Sequence, residues 1–360
     1  MKDFQSRAAT QYRDRPILIT GADGFIGSHL IEKLVSEGAR IQALVRKPAE
    51  ELKNISHLTE RIELQFADIT DEDQVLGALK CLQGERDVII FHLAAEAHVG
   101  ESWVQPEQTL QTNVLGTLNL LRAVCELNLH LHCFDYAGSS EEYGSCDPAK
   151  SEKYHHVEGG GVLLDELSPL NPKSVYAASK VAADFLCRTF FDAYDIPVVV
   201  SRMFNNFGPR QNPRFITGTV ITQALSTDIV EIGSPHAKRD FTFVTDGVWG
   251  HLLTALYGEP GQVYVFGQGK NVSIGEWASL ILDSGYKAGF WGPKELVSRD
   301  KRFRPGRTDE ADLLADSSRL NELCGWQPEV TWEDGILQTI NWYAENRPLW
   351  EGLVDWNQIK

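Results

Sequence analysis

Tyr176 and Lys180 set a phenol and an ammonium four residues apart in Ser174-Val-Tyr176-Ala-Ala-Ser-Lys180, a spacing that puts both on one face of a helix. A phenol there can exchange a proton with a substrate hydroxyl while a hydride moves to or from a nicotinamide. The neighbouring ammonium is expected to lower the phenol's pKa and to hold the nicotinamide ribose. The partner of this pair is Thr20-Gly21-Ala-Asp-Gly24-Phe25-Ile26-Gly27, which follows an apolar strand and opens a helix. In that context Gly21 permits the tight turn, Gly24 lets backbone approach a pyrophosphate, and Gly27 allows close helix–strand packing. The diphosphate then rests on the helix N-terminus, where unpaired N–H groups favour negative charge. A third cluster is Ser139-Ser140-Glu141, at the end of a strand. Either serine can hydrogen-bond a reacting hydroxyl. Plain alcohol oxidation needs no carboxylate, so Glu141 suggests a further step, removal of a carbon-bound proton beside a newly made ketone.

The elements that must carry these residues alternate. Strands are expected at Pro16–Thr20, Arg40–Val45, Ile62–Phe66, Asp87–Phe91, Leu131–Ala137 and Pro197–Arg202. Helices are expected at Ile26–Glu37, Asp71–Leu82, Leu110–Leu127 and Tyr176–Tyr194, the third as one long amphipathic rod. The alternation predicts an α/β fold, a Rossmann-type doubly wound parallel sheet with helices on both faces. Past Met203 the texture turns to Asn205-Asn206-Phe-Gly-Pro-Arg210 and arginine-rich stretches, which predicts a smaller, mostly C-terminal substrate-binding domain. The division expected is 1–202 for the dinucleotide domain, with return segments near 241–266, and 203–240 plus 267–360 for the substrate domain. Ser145 to Gly161 reads as a polar loop.

Around the cofactor, Phe25 and Ile26 follow the glycines, Asp68 with Ile69 is placed near the adenine, and Leu93-Ala94-Ala95 offers small side chains. The second strand ends in Val45-Arg46-Lys47 rather than in an acid. A guanidinium suits a 2′-phosphate, so the cofactor is NAD or NADP with a lean to NADP from Arg46.

The net charge of −16 argues against a nucleic-acid surface. No apolar run approaches the roughly 20 residues of a membrane helix, and Met1 to Arg15 has no signal-peptide core. The six cysteines form no C-x-x-C pair and the histidines show no ligand spacing, so neither a metal site nor a disulfide framework is expected. A cytoplasmic enzyme is the default.

Together these motifs resemble the extended short-chain dehydrogenase/reductases that act on nucleotide sugars, the epimerase/dehydratase group, and within it the sugar-nucleotide 4,6-dehydratases such as GDP-mannose 4,6-dehydratase. The resemblance runs from Thr20-Gly21 to Leu323-Cys-Gly-Trp326-Gln-Pro328. It implies that Asn113 lies below the nicotinamide, and that Asn205, Asn206, Arg210 and Arg214 belong to the substrate side with His98 and Ser102. Arg239 and Arg304 would approach the diphosphate as bidentate, always-charged donors. Glucose-type dehydratases carry Thr-Asp-Glu where this chain has Ser139-Ser140-Glu141, GDP-mannose-type dehydratases carry Thr-Ser-Glu, and simple 4-epimerases usually lack the glutamate. UDP-glucuronate decarboxylases and some 4-keto-6-deoxy-sugar reductases also keep a Ser-Glu pair. The implied reaction is conversion of an NDP-hexose to an NDP-4-keto-6-deoxyhexose, with 4-epimerase, reductase or decarboxylase as alternatives. The resemblance also implies a homodimer built from the helices at Leu110–Leu127 and Tyr176–Tyr194.

Overall fold

The computed structural model describes residues 8–146, 148–157, 161–299 and 311–354. Its centre is a seven-stranded parallel sheet. The first half comprises β1 (Pro16–Thr20), α1 (Phe25–Ser36), β2 (Arg40–Val45), β3 (Glu63–Phe66), α2 (Glu72–Leu79) and β4 (Val88–His92). Then come α3 (Val99–Val104), α4 (Pro106–Leu110), a π turn (Gln111–Leu115), α5 (Gly116–Glu126) and β5 (Leu131–Ala137). After a short hairpin of β6 (His155–His156) and β7 (Val162–Leu163) follow α6 (Val175–Tyr194) and β8 (Val198–Met203). The strand order is β12-β8-β5-β4-β1-β2-β3, where β12 is Val263–Phe266. All six neighbouring pairs are parallel. β1, β4 and β12 are buried along their whole length, as strands covered on both faces must be. The order reverses between β1 and β4. A crevice therefore opens there, beyond the carboxyl ends of the strands.

The smaller lobe is built from β9 (Asn205–Phe207), α7 (Ile216–Ser226), β10 (Ile229–Ile232), β11 (Lys238–Phe243) and α8 (Val244–Tyr257). It continues with β13 (Asn271–Ser273), α9 (Ile274–Lys287), β14 (Glu295–Ser298), α10 (Ser318–Cys324) and α11 (Trp332–Glu345). α8 packs back onto the large sheet, where Val248, Leu252 and Leu256 join the core of Ile17, Ile19 and Phe91. The small lobe has its own aromatic core, in which Trp277 stacks on Phe241 with ring centroids 4.2 Å apart.

Two stretches differ from the sequence expectation. The rod at Leu110–Leu127 is interrupted, because the π turn inserts an extra residue between α4 and α5. The interruption sits where Asn113 turns inward to bond Glu96 and Ser179, and Gly116 lies so close to Ile69 that an added Cβ would meet its Cδ1 at 2.7 Å. The polar loop from Ser145 carries the β6–β7 pair, with Tyr154, Val162 and Leu164 buried against Tyr143, Leu313 and Ala315.

Candidate active site

β1 delivers the glycine turn to the crevice. Gly21 has φ +68°, and a Cβ there would meet the Ala94 backbone nitrogen at 2.9 Å, so only glycine lets the turn lie against the loop after β4. At Gly27 a Cβ would stand 2.3 Å from the Gly21 carbonyl oxygen. No side chain caps the α1 N-terminus, and no acidic residue occupies its first turn. That leaves a positive helix end over a backbone cradle too narrow for side chains, which fits a dinucleotide diphosphate. Asp23 stabilises the rim by accepting from the backbone N–H groups of Lys53, Asn54 and Ile55.

Below the cradle lies a buried polar chain. The Ala94 N–H donates to the Thr20 hydroxyl (3.1 Å), which donates to His92 Nδ1 (2.8 Å). His92 Nε2 meets the Thr117 hydroxyl (2.9 Å), which in turn donates to the Asn113 carbonyl (2.7 Å). Thr117 can therefore only accept from His92, which places a proton on Nε2. Burial, aided by the Lys180 charge, pushes the His92 pKa down to about 3, so the ring is neutral. Asn113 clamps the loop after β4: its Oδ1 accepts from the Glu96 N–H (2.8 Å), and its amide donates to the Glu96 carbonyl (3.1 Å) and to Ser179 (2.9 Å).

α6 supplies the proton-transfer pair. Ser174 caps it by accepting from the Ala177 N–H (3.0 Å), and the Ser102 hydroxyl accepts from the Tyr176 N–H (3.1 Å). The Tyr176 phenol and Ser139 line the same cavity, with the serine near enough to favour the ionised phenol. Lys180 Nζ donates to the Ala137 carbonyl (2.8 Å) and stands 5.0 Å over the Tyr136 ring. Burial pushes the lysine down to about 8, against the opposing pull of Glu142. The Tyr176 phenol is raised rather than depressed, which corrects the expectation from sequence. Its burial outweighs the favourable influence of Ser139, and the carboxylates of Glu141 and Glu142 add to the rise.

Beyond β5, Ser139 caps the single turn Ser140–Glu142. Its hydroxyl accepts from the Glu141 N–H (3.2 Å), and its own N–H donates to Glu142 (2.7 Å). Glu141 reaches Arg239 of β11, with Oε1 to Nε 3.5 Å. Arg239 is buried and also donates to the Ala311 carbonyl (2.6 Å).

These groups meet in a cavity of about 590 Å³ between the two lobes. Of the residues expected from sequence, its walls include Gly21, Gly24, Phe25, Ile26, Leu93, Ala94, Ala95, His98, Ser139, Ser140, Glu141, Tyr176, Lys180, Asn205, Asn206, Arg214 and Arg239. Others stand elsewhere. Arg46 lies out along the cofactor side, 4.0 Å from Asp68, whose carboxylate also accepts from Thr70. Ile69 packs behind, its carbonyl accepting from Asn119. Ser102 and Asn113 support the walls without lining them. Arg210 turns from the cavity to pair with Glu32 (2.5 Å) on α1, with His29 beside it, and so fastens the small lobe to the large one. Arg304 lies outside the described residues.

Two features escaped the sequence reading. Glu142, Arg202 and Asp184 form a wholly buried ionic network behind the Ser139 turn. Gln211 lines the cavity, and its Oε1, like the Oδ1 of Asn205, is buried with no hydrogen-bond partner among the described residues. Such orphaned acceptors suit a ligand rich in hydroxyl groups.

Comparison with known proteins agrees with this geometry. Residues 18–339 match the family described as GDP-mannose 4,6 dehydratase. The dTDP-glucose 4,6-dehydratase of Xanthomonas campestris pv. campestris is 30% identical over 354 residues, covering 94% of this chain and 95% of that protein. The structure of DesIV, a dTDP-glucose 4,6-dehydratase from Streptomyces venezuelae solved with NAD bound, superposes with a TM-score of 0.79 at 26% identity, covering 94% of this chain and all of that one. The UDP-glucuronic acid 4-epimerase of Bacillus cereus, solved with UDP-glucuronic acid and NAD, gives 0.75 at 25% identity, covering 92% and 99%.

Proposed function

Because the chain belongs to the GDP-mannose 4,6 dehydratase family, we propose that it is an NAD(P)-dependent nucleotide-sugar 4,6-dehydratase that turns an NDP-hexose into an NDP-4-keto-6-deoxyhexose. The observation that carries this reading is the arrival of Glu141 in one cavity with Tyr176, Ser139 and Lys180. A bound nicotinamide supplies the acceptor, and later the donor, of a hydride. Tyr176, with Ser139 beside it, takes the proton of the C4 hydroxyl. The resulting ketone acidifies the proton on C5, which Glu141 removes. The C6 hydroxyl leaves as water; with Ser140 standing where glucose-type relatives have aspartate, the proton Glu141 has gained can serve that leaving group. The double bond left between C5 and C6 then takes the returning hydride at C6 and a proton at C5, balanced by the one Tyr176 took from the C4 hydroxyl. Asn205 and Gln211 offer acceptors to the substrate's hydroxyl groups, and Arg239 offers a guanidinium to its diphosphate.

In this reading residues 1–202 with the return near 241–266 bind the dinucleotide, while 203–240 and 267–360 bind the sugar nucleotide. Arg46 tilts the cofactor preference to NADP, and equal affinities in a titration with NAD and NADP would remove that tilt. The enzyme works in the cytoplasm as a homodimer. Exposed Leu110, Leu115, Phe185 and Tyr194 on the helices flanking the sheet support the second point.

Mass spectrometry after incubation with UDP-, GDP-, CDP- and dTDP-hexoses tests the assignment. Loss of one water without added reductant is expected from one of them and identifies the nucleotide. Unchanged mass with a new C4 epimer by NMR would make the enzyme an epimerase. Glu141→Gln should still permit C4 oxidation yet release no water, and normal turnover by that variant would sink the elimination step.

A further inference from the structure

Glu142 has no place in the chemistry above, yet it is wholly enclosed beside the site. Its side chain is 0% exposed, and that of its partner Arg202 is 2%. Asp184 of α6 pairs both with Arg202 and with Arg188 on its own helix, so Glu142 completes a network of two guanidinium groups and two carboxylates, in which the Tyr143 hydroxyl accepts a further Arg202 N–H (3.0 Å). Burying a carboxylate this completely is costly to desolvate, so the partners its oxygens find decide what it does. The two oxygens of Glu142 go in different directions. Oε2 accepts from Arg202 Nε (3.0 Å) on β8, and Oε1 accepts from the Ser139 N–H (2.7 Å) at the mouth of the cavity. The approach to Ser139 is open only because residue 138 is glycine, where a Cβ would stand 2.9 Å from Glu142 Oε1.

We propose that Glu142 is a positioning residue for proton transfer, a buried carboxylate that ties the Ser139–Glu141 turn to Arg202 and so holds the Ser139 hydroxyl against Tyr176. The link runs through the backbone. With the Ser139 N–H fixed to Glu142 and the Ser139 hydroxyl accepting from the Glu141 N–H, the serine keeps one orientation towards the phenol. The same carboxylate acts through its charge. The groups facing it are Arg202 on β8, Asp184, Cys187, Lys180 and Tyr176 on α6, Tyr136 on β5 and Tyr143 on its own turn. Burial raises the Glu142 pKa despite Arg202, and in its ionised form Glu142 favours the protonated forms of Lys180 and Tyr176. Losing that charge must move the lysine's deprotonation to lower pH.

The proposal rests on the Tyr176–Lys180 chemistry but not on the dehydration. The test uses the holoenzyme with whichever nucleotide sugar the wild type turns over, and counts active sites by stoichiometric NAD(P)H binding. Glu142→Leu should lower kcat per folded site at least tenfold while KM stays within about threefold, because the ligand walls are untouched. Glu142→Gln keeps the shape and one of the two acceptors while removing the charge, and should move the alkaline limb of kcat/KM down by about half a pH unit or more. A carboxylate that merely supports the fold would reduce the yield of folded protein and leave both readouts unchanged. If Glu142→Leu fails to fold, the Glu142→Gln profile decides alone, and an unmoved limb overturns the proposal. Epimer formation by the wild type would defeat the dehydratase assignment and leave this test intact, since Tyr176 and Lys180 serve either reaction.

Discussion

At the scale of single residues, the site works through environments rather than identities. Lys180 is an ordinary amine made weakly basic by enclosure, with the Ala137 carbonyl as its hydrogen-bond acceptor. Its charge is present below about pH 8 and lost above it. The kcat/KM profile of the free enzyme should therefore fall on the alkaline side with a midpoint near 8, and a flat profile from pH 7 to 9.5 would contradict the role given to its charge. Tyr176 is held protonated in the substrate-free protein, so its activation has to come with the ligands. Tyr176→Phe, which keeps the ring and loses the proton carrier, should reduce kcat by roughly 10²–10⁴-fold with little change in nucleotide affinity.

At the scale of elements, the interruption between α4 and α5 matters most. Continuous helix would carry residue 113 along the rod; the π turn instead lets its amide span the Glu96 backbone and Ser179 of α6. One residue thus joins the loop after β4 and the helix bearing Tyr176 through its side chain and, through its backbone carbonyl and Thr117, the His92 chain. Asn113→Ala removes three hydrogen bonds and leaves the Glu96 N–H unpaired. It should cost about 2 kcal/mol or more of stability, read as a lower denaturation midpoint, and weaken cofactor binding along with it. A variant with unchanged melting and unchanged cofactor affinity would show that the clamp does not position the site. The periodicity of Leu110–Leu127 gave no sign of the turn, because a single inserted residue leaves an apolar stripe that still reads as one helix.

At the scale of the whole molecule, two lobes with separate cores enclose one cavity, and Arg210 with Glu32 fastens them on the α1 side. Among the described residues no helix is long and apolar enough to cross a membrane. Among the exposed apolar side chains, Leu110, Leu115, Phe185 and Tyr194 lie along α4, the π turn and α6, where Leu115 and Phe185 are each 51% exposed. If two copies pair through these helices, Leu115→Glu with Phe185→Glu should give a monomer by light scattering, with the fold kept by circular dichroism. A wild-type monomer at micromolar concentration would end the dimer reading.

The sequence by itself determined the parallel α/β sheet, the glycine turn and the Tyr176–Lys180 pair. Each is written in short-range terms: apolar runs of strand length, a glycine spacing between strand and helix, two side chains one turn apart. Ser139, Ser140 and Glu141 were legible for the same reason, at the end of a strand that parallel topology sends to the crevice. Tertiary structure decided the rest, because it depended on which distant groups came together. Ser102 and Arg210 carry polar groups that suit a ligand, but the Tyr176 N–H and Glu32 reach them first. Glu142 looks in sequence like the twin of Glu141. Only the placement of Arg202, sixty residues downstream on β8, draws one glutamate into the interior and leaves the other facing the cavity. The direction of the Tyr176 shift was set in the same way, since burial is a property of the packed whole and not of four-residue spacing.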